Sequence, residues 1–346
     1  SNQKIESQEL LLQIPEKLLL NSKNCNYNLD YDISEVDDIN EKICTVISFL
    51  KEYKNEDSFW EHYIYSLPPI ANFYEHPIYL FHQGKLPNIS EKFTRIIYDK
   101  YQEFQLLKKY IYSENIFEVI FEEEILWGYL IITTRAWDKL GLVPVADIMQ
   151  YSYDSNMKLK YENDICEMIS DRDFEIGKIV YDSYNVYDNV GIFANYGFVI
   201  ESEFNYINIT TDYNHCSQMS QKFIIDYVAN KKNKINEKIF QVKFEISKPT
   251  NILILNVKNF PENIEISENS IEQNIESEIS EINFILEVLR GNQKSDINEL
   301  NKSNFAKNSI SSKIYKVLTD EQRQIKYYIE YLSNKVQRLN LQMSQL

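Results

Sequence analysis

The chain has 346 residues, 44% of them hydrophobic and 14% aromatic, enough to bury a large core and to form two domains or one domain with a large insertion. Its formal net charge of -16 argues against broad nucleic-acid binding, because a phosphate backbone rewards clustered Lys and Arg, and makes a basic protein segment the expected partner. Cys25, Cys44, Cys166 and Cys216 are scattered, with no CxxC pair and no His at ligand spacing, so reduced thiols are expected rather than a disulfide framework or a metal site.

In chain order, Leu10, Leu11, Leu12 and Ile14 read as a strand that Pro15 ends by removing a donor from the ladder. From about Ile39 to Trp137 the pattern is helical: Ile43, Val46, Ile47 and Leu50 recur at three- and four-residue steps, as do Phe104, Leu107, Tyr110 and Ile111. Pro68, Pro69, Pro77 and Pro87 mark a looser stretch between those helices. From Leu142 to about Ile209 the β-branched residues Val143, Val145, Ile179 and Val180 predict strands, with Gly and Asn at the turns. Beyond Thr210 a polar stretch holds one strand-like run, Ile252–Val257. Helical stripes then resume, Ile271, Ile275, Ile279, Ile282 and Leu286 forming the first, followed by Ile325, Tyr328, Ile329, Leu332, Val336 and Leu339. Thr319 with Gln322 three residues on resembles a capping box opening that last helix. No apolar run approaches the roughly 18 residues that span a bilayer, and no signal peptide opens the sequence, so the expectation is a soluble cytoplasmic or nuclear protein with no membrane partner.

Six fragments occur in a fixed order: Glu9–Pro15 (ELLLQIP), Ser58–Pro68 (SFWEHYIYSLP), Thr133–Trp137 (TTRAW), Leu142–Asp147 (LVPVAD), Ile179–Asn189 (IVYDSYNVYDN) and Asn195–Val199 (NYGFV). In this order and at these separations they resemble the SET-domain methyltransferases of the branch that includes Rubisco large-subunit lysine methyltransferase and the actin-histidine methyltransferases. The resemblance implies an α+β fold: a β-rich SET domain over residues 1–212, with a helical insertion at about 39–130, then a helical substrate-binding domain over 213–346 that is anchored by Phe284–Arg290 (FILEVLR) and the last helix. It implies methyl transfer from S-adenosyl-L-methionine to a protein side chain, most readily lysine, with no metal. The alternatives that stay open are a protein-histidine methyltransferase and a catalytically degenerate SET protein that acts as a protein-binding module. No GxGxxG or GxxxxGK[ST] motif points to a dinucleotide or nucleotide triphosphate fold.

Methyl transfer from a sulfonium needs few catalytic side chains, since the protein mainly positions donor and acceptor and excludes water. By the resemblance, Tyr184 is the catalytic tyrosine, following a strand whose pattern Gly177, Ile179 and Val180 preserve. The cofactor-binding positions are Arg135, Asp147, Ile148, Met149, Gln150, Tyr151, Tyr196, Gly197 and Phe198. Arg135 suits a carboxylate through its guanidinium fork, though it would serve a surface salt bridge equally. Gly197 would permit close backbone approach, with Tyr196 and Phe198 packing on the cofactor. Asn189 matches an asparagine that braces the intervening turn, and an ordinary turn residue would look the same.

Two departures accompany the resemblance. The family carries Asn-His where this chain has Gln150-Tyr151, and it carries a glycine-rich loop where only Ser1–Lys4 precede Ile5, so the sequence in hand is expected to begin late. Asn214-His215-Cys216 imitates a signature of other SET branches but follows the NYGFV fragment, and is read as part of a linker. His62, His76 and His82 show no arrangement of a hydrolytic triad. The substrate protein and the oligomeric state are open.

Overall fold

Leu10–Pro15 forms strand β1 of the computed structural model, which describes residues 4–23, 37–86, 91–152, 157–182, 184, 189–200, 206–212, 242–247, 252–258, several positions between 279 and 291, and 309–344. Cys25, Asn214–Cys216, Ile271 and Ile275 lie outside the described residues. The chain divides into two compact units: Ser1–Tyr187 with Gly191–Phe198, and Asp188–Val190 with Val199–Leu346.

In the first unit β1 pairs antiparallel with β4 (Ile165–Ser170), which pairs antiparallel with β3 (Met157–Glu162). Alternation sets the buried face, with Cys166, Met168 and Ser170 buried on β4 while Lys158, Lys160 and Glu162 on β3 face outward. Leu19, Val143, Ala146 and Met157 complete the core against that face.

The helical stretch resolves into α1 (Asp37–Lys54), α2 (Glu61–Ser66), α3 (Pro77–His82), α4 (Glu91–Ser113) and α5 (Glu122–Arg135). The stripe Ile43, Val46, Ile47 and Leu50 is buried as its spacing predicts, and Phe104, Leu107 and Ile111 likewise. The proline-marked stretch is less loose than it reads. Pro77 occupies the first position of α3, where its missing N–H costs nothing, and His76 Nδ1 caps the helix by accepting from Ile78 N at 3.2 Å. Helix α5 is buried from Ile125 through Ile132, so its apolar residues surround it rather than forming one face.

Three local readings are corrected. Within the predicted strand region, Asn189–Tyr196 (NVGIFANY) is helix α6, with Val190, Ile192, Phe193 and Ala194 buried. A short continuous apolar run has no period to separate a buried helix from a strand. The strand expected around Ile179 and Val180 shrinks to β5 (Tyr181–Asp182), which pairs in parallel with β2 (Gln150–Tyr151); Ile179 is exposed and Gly177 sits in a turn at φ 85°.

The third correction is in the second unit, where α7 (Ile310–Met343) begins nine residues before Thr319. Its cap is Ser309, whose hydroxyl accepts from Ser312 N at 3.2 Å, while the Thr319 hydroxyl donates back to Tyr315 O at 2.9 Å. The apolar stripe of that helix holds: Ile325, Tyr328, Leu332 and Leu339 are buried. The expected Ile252–Val257 run is β8 (Ile252–Lys258), the central strand of an antiparallel sheet with β6 (Tyr206–Asp212) and β7 (Val242–Ser247) at its edges. No described helix is long and apolar enough to cross a membrane.

Candidate active site

Helix α5 delivers Arg135 to the site. Three acidic residues in its first turn, Glu122, Glu123 and Glu124, suit the positive helix N-terminus, and Glu124 accepts from Phe121 N at 2.9 Å. At the other end Arg135 lies in the last turn, where a cation meets the partial negative charge of unpaired carbonyls. The chain then reverses through Trp137, whose N–H donates to Gly141 O at 2.8 Å. Gly141 has φ 74°, and a Cβ there would stand 2.6 Å from Leu20 O, so no other residue fits this turn.

The turn brings LVPVAD back beneath the helix end. Arg135 Nη1 donates to Asp147 O at 2.9 Å and lies 3.5 Å from Asp147 Oδ2. Tyr63 on α2 donates its hydroxyl to the same Oδ2 at 3.0 Å. The Asp147 side chain is fully buried, and its Oδ1 has no hydrogen-bond partner. Burial pushes the Asp147 carboxyl above its usual range, against the opposing pull of Tyr63 and Arg135. Two residues earlier Val145 holds φ 74°, a conformation that a β-branched residue adopts only under constraint.

Strands β2 and β5 place Tyr151 opposite Asp182, and the chain then turns at Tyr184, which also has positive φ, at 52°. The Tyr184 hydroxyl donates to Met149 O. Four rings pack together: Tyr184 lies 4.8 Å from Tyr196 and 5.4 Å from Tyr151, and Phe198 lies 5.8 Å from Tyr151 and 6.1 Å from Tyr196. Burial raises the phenol of Tyr184, with Asp182 adding to the effect, and burial raises Tyr196 further, so both hydroxyls stay protonated at neutral pH.

These groups surround a cavity of about 390 Å³, within the range of small-molecule sites. Arg135, Asp147, Tyr184 and Tyr196 line it, as do Lys139 and Asp182. The walls thus present two cations, two carboxylates and neutral aromatic faces. Such a lining suits a small molecule carrying charges of both signs, with a cationic centre against the rings.

Other residues singled out in the sequence stand around the cavity rather than on it. Met149 contributes through its carbonyl, and Tyr151 and Phe198 form the second row of rings. Ile148 and Gln150 are exposed, Gln150 being held in β2 by its pairing with Tyr181. The close approach at Gly197 is to His76, since a Cβ would come within 3.0 Å of its ring. His76 Nε2 also stands 3.0 Å from Asn195 O, and with Nδ1 already accepting, Nε2 is the donor. Tyr63, Lys139 and Asp182 went unnoticed as site residues, although Tyr63 and Asp182 fall inside the quoted fragments.

No family model matches the chain. Among curated proteins, the actin-histidine N-methyltransferase of Dasypus novemcinctus is 25% identical over 234 residues, which cover 60% of this chain and 38% of that protein. The enzyme of Canis lupus familiaris is 24% identical over 234 residues, with the same coverage of 60% and 38%. The match therefore spans less than two fifths of these relatives' length. Among solved structures, Rubisco LSMT bound to AdoMet superposes with a TM-score of 0.59 at 14% identity, covering 100% of this chain and 88% of that one. The SET domain of LSMT bound to lysine and AdoHcy gives 0.58 at 14% identity, covering 100% and 87%.

The fold is that of the SET domain. The sequence and structural likenesses fall in the branch that the six fragments resemble, with actin-histidine methyltransferases on one side and Rubisco LSMT on the other. Within this SET domain the fragments TTRAW, LVPVAD, IVYDSYNVYDN and NYGFV each place a residue on the one cavity.

Proposed function

We propose that this chain transfers a methyl group from S-adenosyl-L-methionine to a nitrogen of a protein side chain. The observation that carries the reading is the convergence of Arg135, Asp147, Tyr184 and Tyr196, from four separate fragments, on one cavity of mixed charge. The relatives named as methyltransferases and the neighbour bound to AdoMet support it.

The residues present fit that cofactor. Its amino-acid end carries a carboxylate and an ammonium, which Arg135 and the unpaired Asp147 Oδ1 can meet with charge-assisted hydrogen bonds. When bound, S-adenosyl-L-methionine supplies a methyl on a cationic sulfur that a neutral nitrogen displaces. Tyr184 keeps its phenol neutral, held in orientation by its donation to Met149 O, and its oxygen offers lone pairs toward positive charge. The rings of Tyr184, Tyr196, Tyr151 and Phe198 exclude water around that centre. Tyr184 is the proposed catalytic residue; Arg135, Asp147 and Tyr196 line the proposed cofactor pocket, with Met149, Tyr151 and Phe198 packed behind them. Residues 1–212 make the proposed catalytic domain, and residues 213–346 are proposed to receive the protein substrate, a basic segment being favoured by the net charge of -16.

Lysine is the first acceptor to test. A lysine must lose its proton before attack, and an aromatic, poorly hydrated approach lowers its pKa in that direction. Histidine is the second reading, favoured by the actin-histidine relatives. The acceptors separate by pH profile in a peptide methylation assay with a Tyr184→Phe control. Transfer to lysine should keep rising with pH above about 8, whereas transfer to histidine should level off once the imidazole is neutral, near pH 7. Absence of transfer to both peptide sets by a chain that binds the cofactor would count against the reading.

A further inference from the structure

Helices α1, α4 and α5 enclose a second cavity of about 300 Å³, on which Lys42, Lys100, Glu103 and Thr133 converge. Glu103 is already engaged: Lys42 Nζ stands 2.7 Å from its Oε2, and the Tyr129 hydroxyl donates to the same oxygen at 2.8 Å. Lys42 Nζ also donates to the Tyr129 hydroxyl at 3.2 Å and sits 4.4 Å above that ring. The other carboxylates on the cavity are Asp38, which pairs with Lys139 at the exposed rim, and Glu41, which acts on Cys44.

Lys100 is left over. Among the described residues no carboxylate reaches ion-pair distance of its ammonium, and its strongest charged neighbour is the like-charged Lys42. Burial and Lys42 pull its amine down to about 8 against the weaker opposing pull of Glu103, so at pH 7 it still carries its proton without an ion pair of its own. Thr133 faces the Tyr129 phenol without completing a hydrogen bond, so its buried hydroxyl is also available. A desolvated cation whose nearest carboxylate, Glu103, is already paired with Lys42 is costly to hold, in a chain whose net charge is -16.

We propose that this cavity binds a small oxyanion, a metabolite bearing a phosphate or carboxylate group, through Lys100 with Lys42 and the Thr133 hydroxyl. The cavity shares Ala136 and Lys139 with the active-site cavity, but Lys100 and Thr133 line this one alone. The site does not depend on the methyltransferase reading.

The test is calorimetric titration of inorganic phosphate, and separately of malonate, into the whole chain at pH 7, with ionic strength matched by sodium chloride. The expected result is one saturable site for at least one of the two anions. It should weaken about tenfold or more in Lys100→Met and persist within about threefold in Lys100→Arg, with circular dichroism confirming that both variants fold. Heats equal to those of the salt control for both anions would overturn the proposal, and so would a folded Lys100→Met that binds as tightly as the wild type.

Discussion

The Tyr63 hydroxyl donates to Asp147 Oδ2 across a separation of 84 residues, tying helix α2 to the turn that carries Asp147 on the cavity wall. Tyr63 and Arg135 together oppose the desolvation of the Asp147 carboxyl. Tyr63→Phe should therefore cost about 1–3 kcal/mol at pH 7, read by urea unfolding. The folded-state pKa of Asp147 is raised, so the stability linked to its proton is present at low pH and lost as pH rises through that value. Removing Tyr63 raises it further. The deficit of the variant should be largest at pH 7 and should shrink toward about pH 4. A deficit independent of pH would deny the link to Asp147.

Tyr184→Phe removes the hydroxyl that meets Met149 O while leaving the ring against Tyr151 and Tyr196. Methyl transfer should fall about 10²- to 10³-fold with cofactor affinity changed by less than tenfold, because the hydroxyl acts on developing charge more than on binding. Parallel losses in rate and affinity would place Tyr184 in binding alone.

Asn189 is a brace with more reach than its turn position suggests. Its Nδ2 donates to Ile200 O at 2.9 Å and to Asp320 Oδ2 at 2.6 Å, and its Oδ1 accepts from Ile200 N at 2.9 Å. Asn189 and Asp320 are both buried. Asn189→Ala should destabilise the second unit by about 2–4 kcal/mol, and Asn189→Asp by more, because it sets a second carboxylate against buried Asp320. Thermal unfolding of the two variants checks the order, and a milder Asn189→Asp would contradict it.

Much of this was legible beforehand where the signal was local. The stripes of α1 and α7 declare themselves through spacing, and the fragments around Arg135, Asp147, Tyr184 and Tyr196 point to residues that do share a cavity. What escaped was of two kinds. Helix α6 is apolar almost throughout, and its stacked Phe93–Phe193 contact, 5.3 Å between centroids, is set by packing that periodicity cannot report. The partners of Asp147 and Gly197, namely Tyr63 and His76, lie far off in the chain, joined by contacts that only the folded backbone brings about. The capping signature at Thr319 was legible but wrong, since a Thr with Gln three residues on also fits a helix interior once the hydroxyl bonds backward.

Lys100 predicts a signature in alkali. Its folded-state amine sits near 8, below the 10.5 of an unperturbed lysine, so the unfolded chain holds more protons between those values. Its contribution to stability should therefore grow as pH rises from about 8 to about 10. Lys100→Met should lose that increment, so the stability difference between wild type and variant should shift toward the wild type across the window, read by urea unfolding in chloride buffer. A difference that stays constant would show that Lys100 titrates normally.

The central claim, that the cavity of Arg135, Asp147, Tyr184 and Tyr196 is a cofactor pocket, is tested most directly by calorimetric titration of S-adenosyl-L-methionine into the wild type and Arg135→Ala. The account predicts saturable one-to-one binding that weakens about 10- to 100-fold in the variant, the loss of a charge-assisted fork. No saturable binding by the wild type, or an Arg135→Ala protein that binds as tightly, would contradict it and leave a SET domain that acts by engaging another protein.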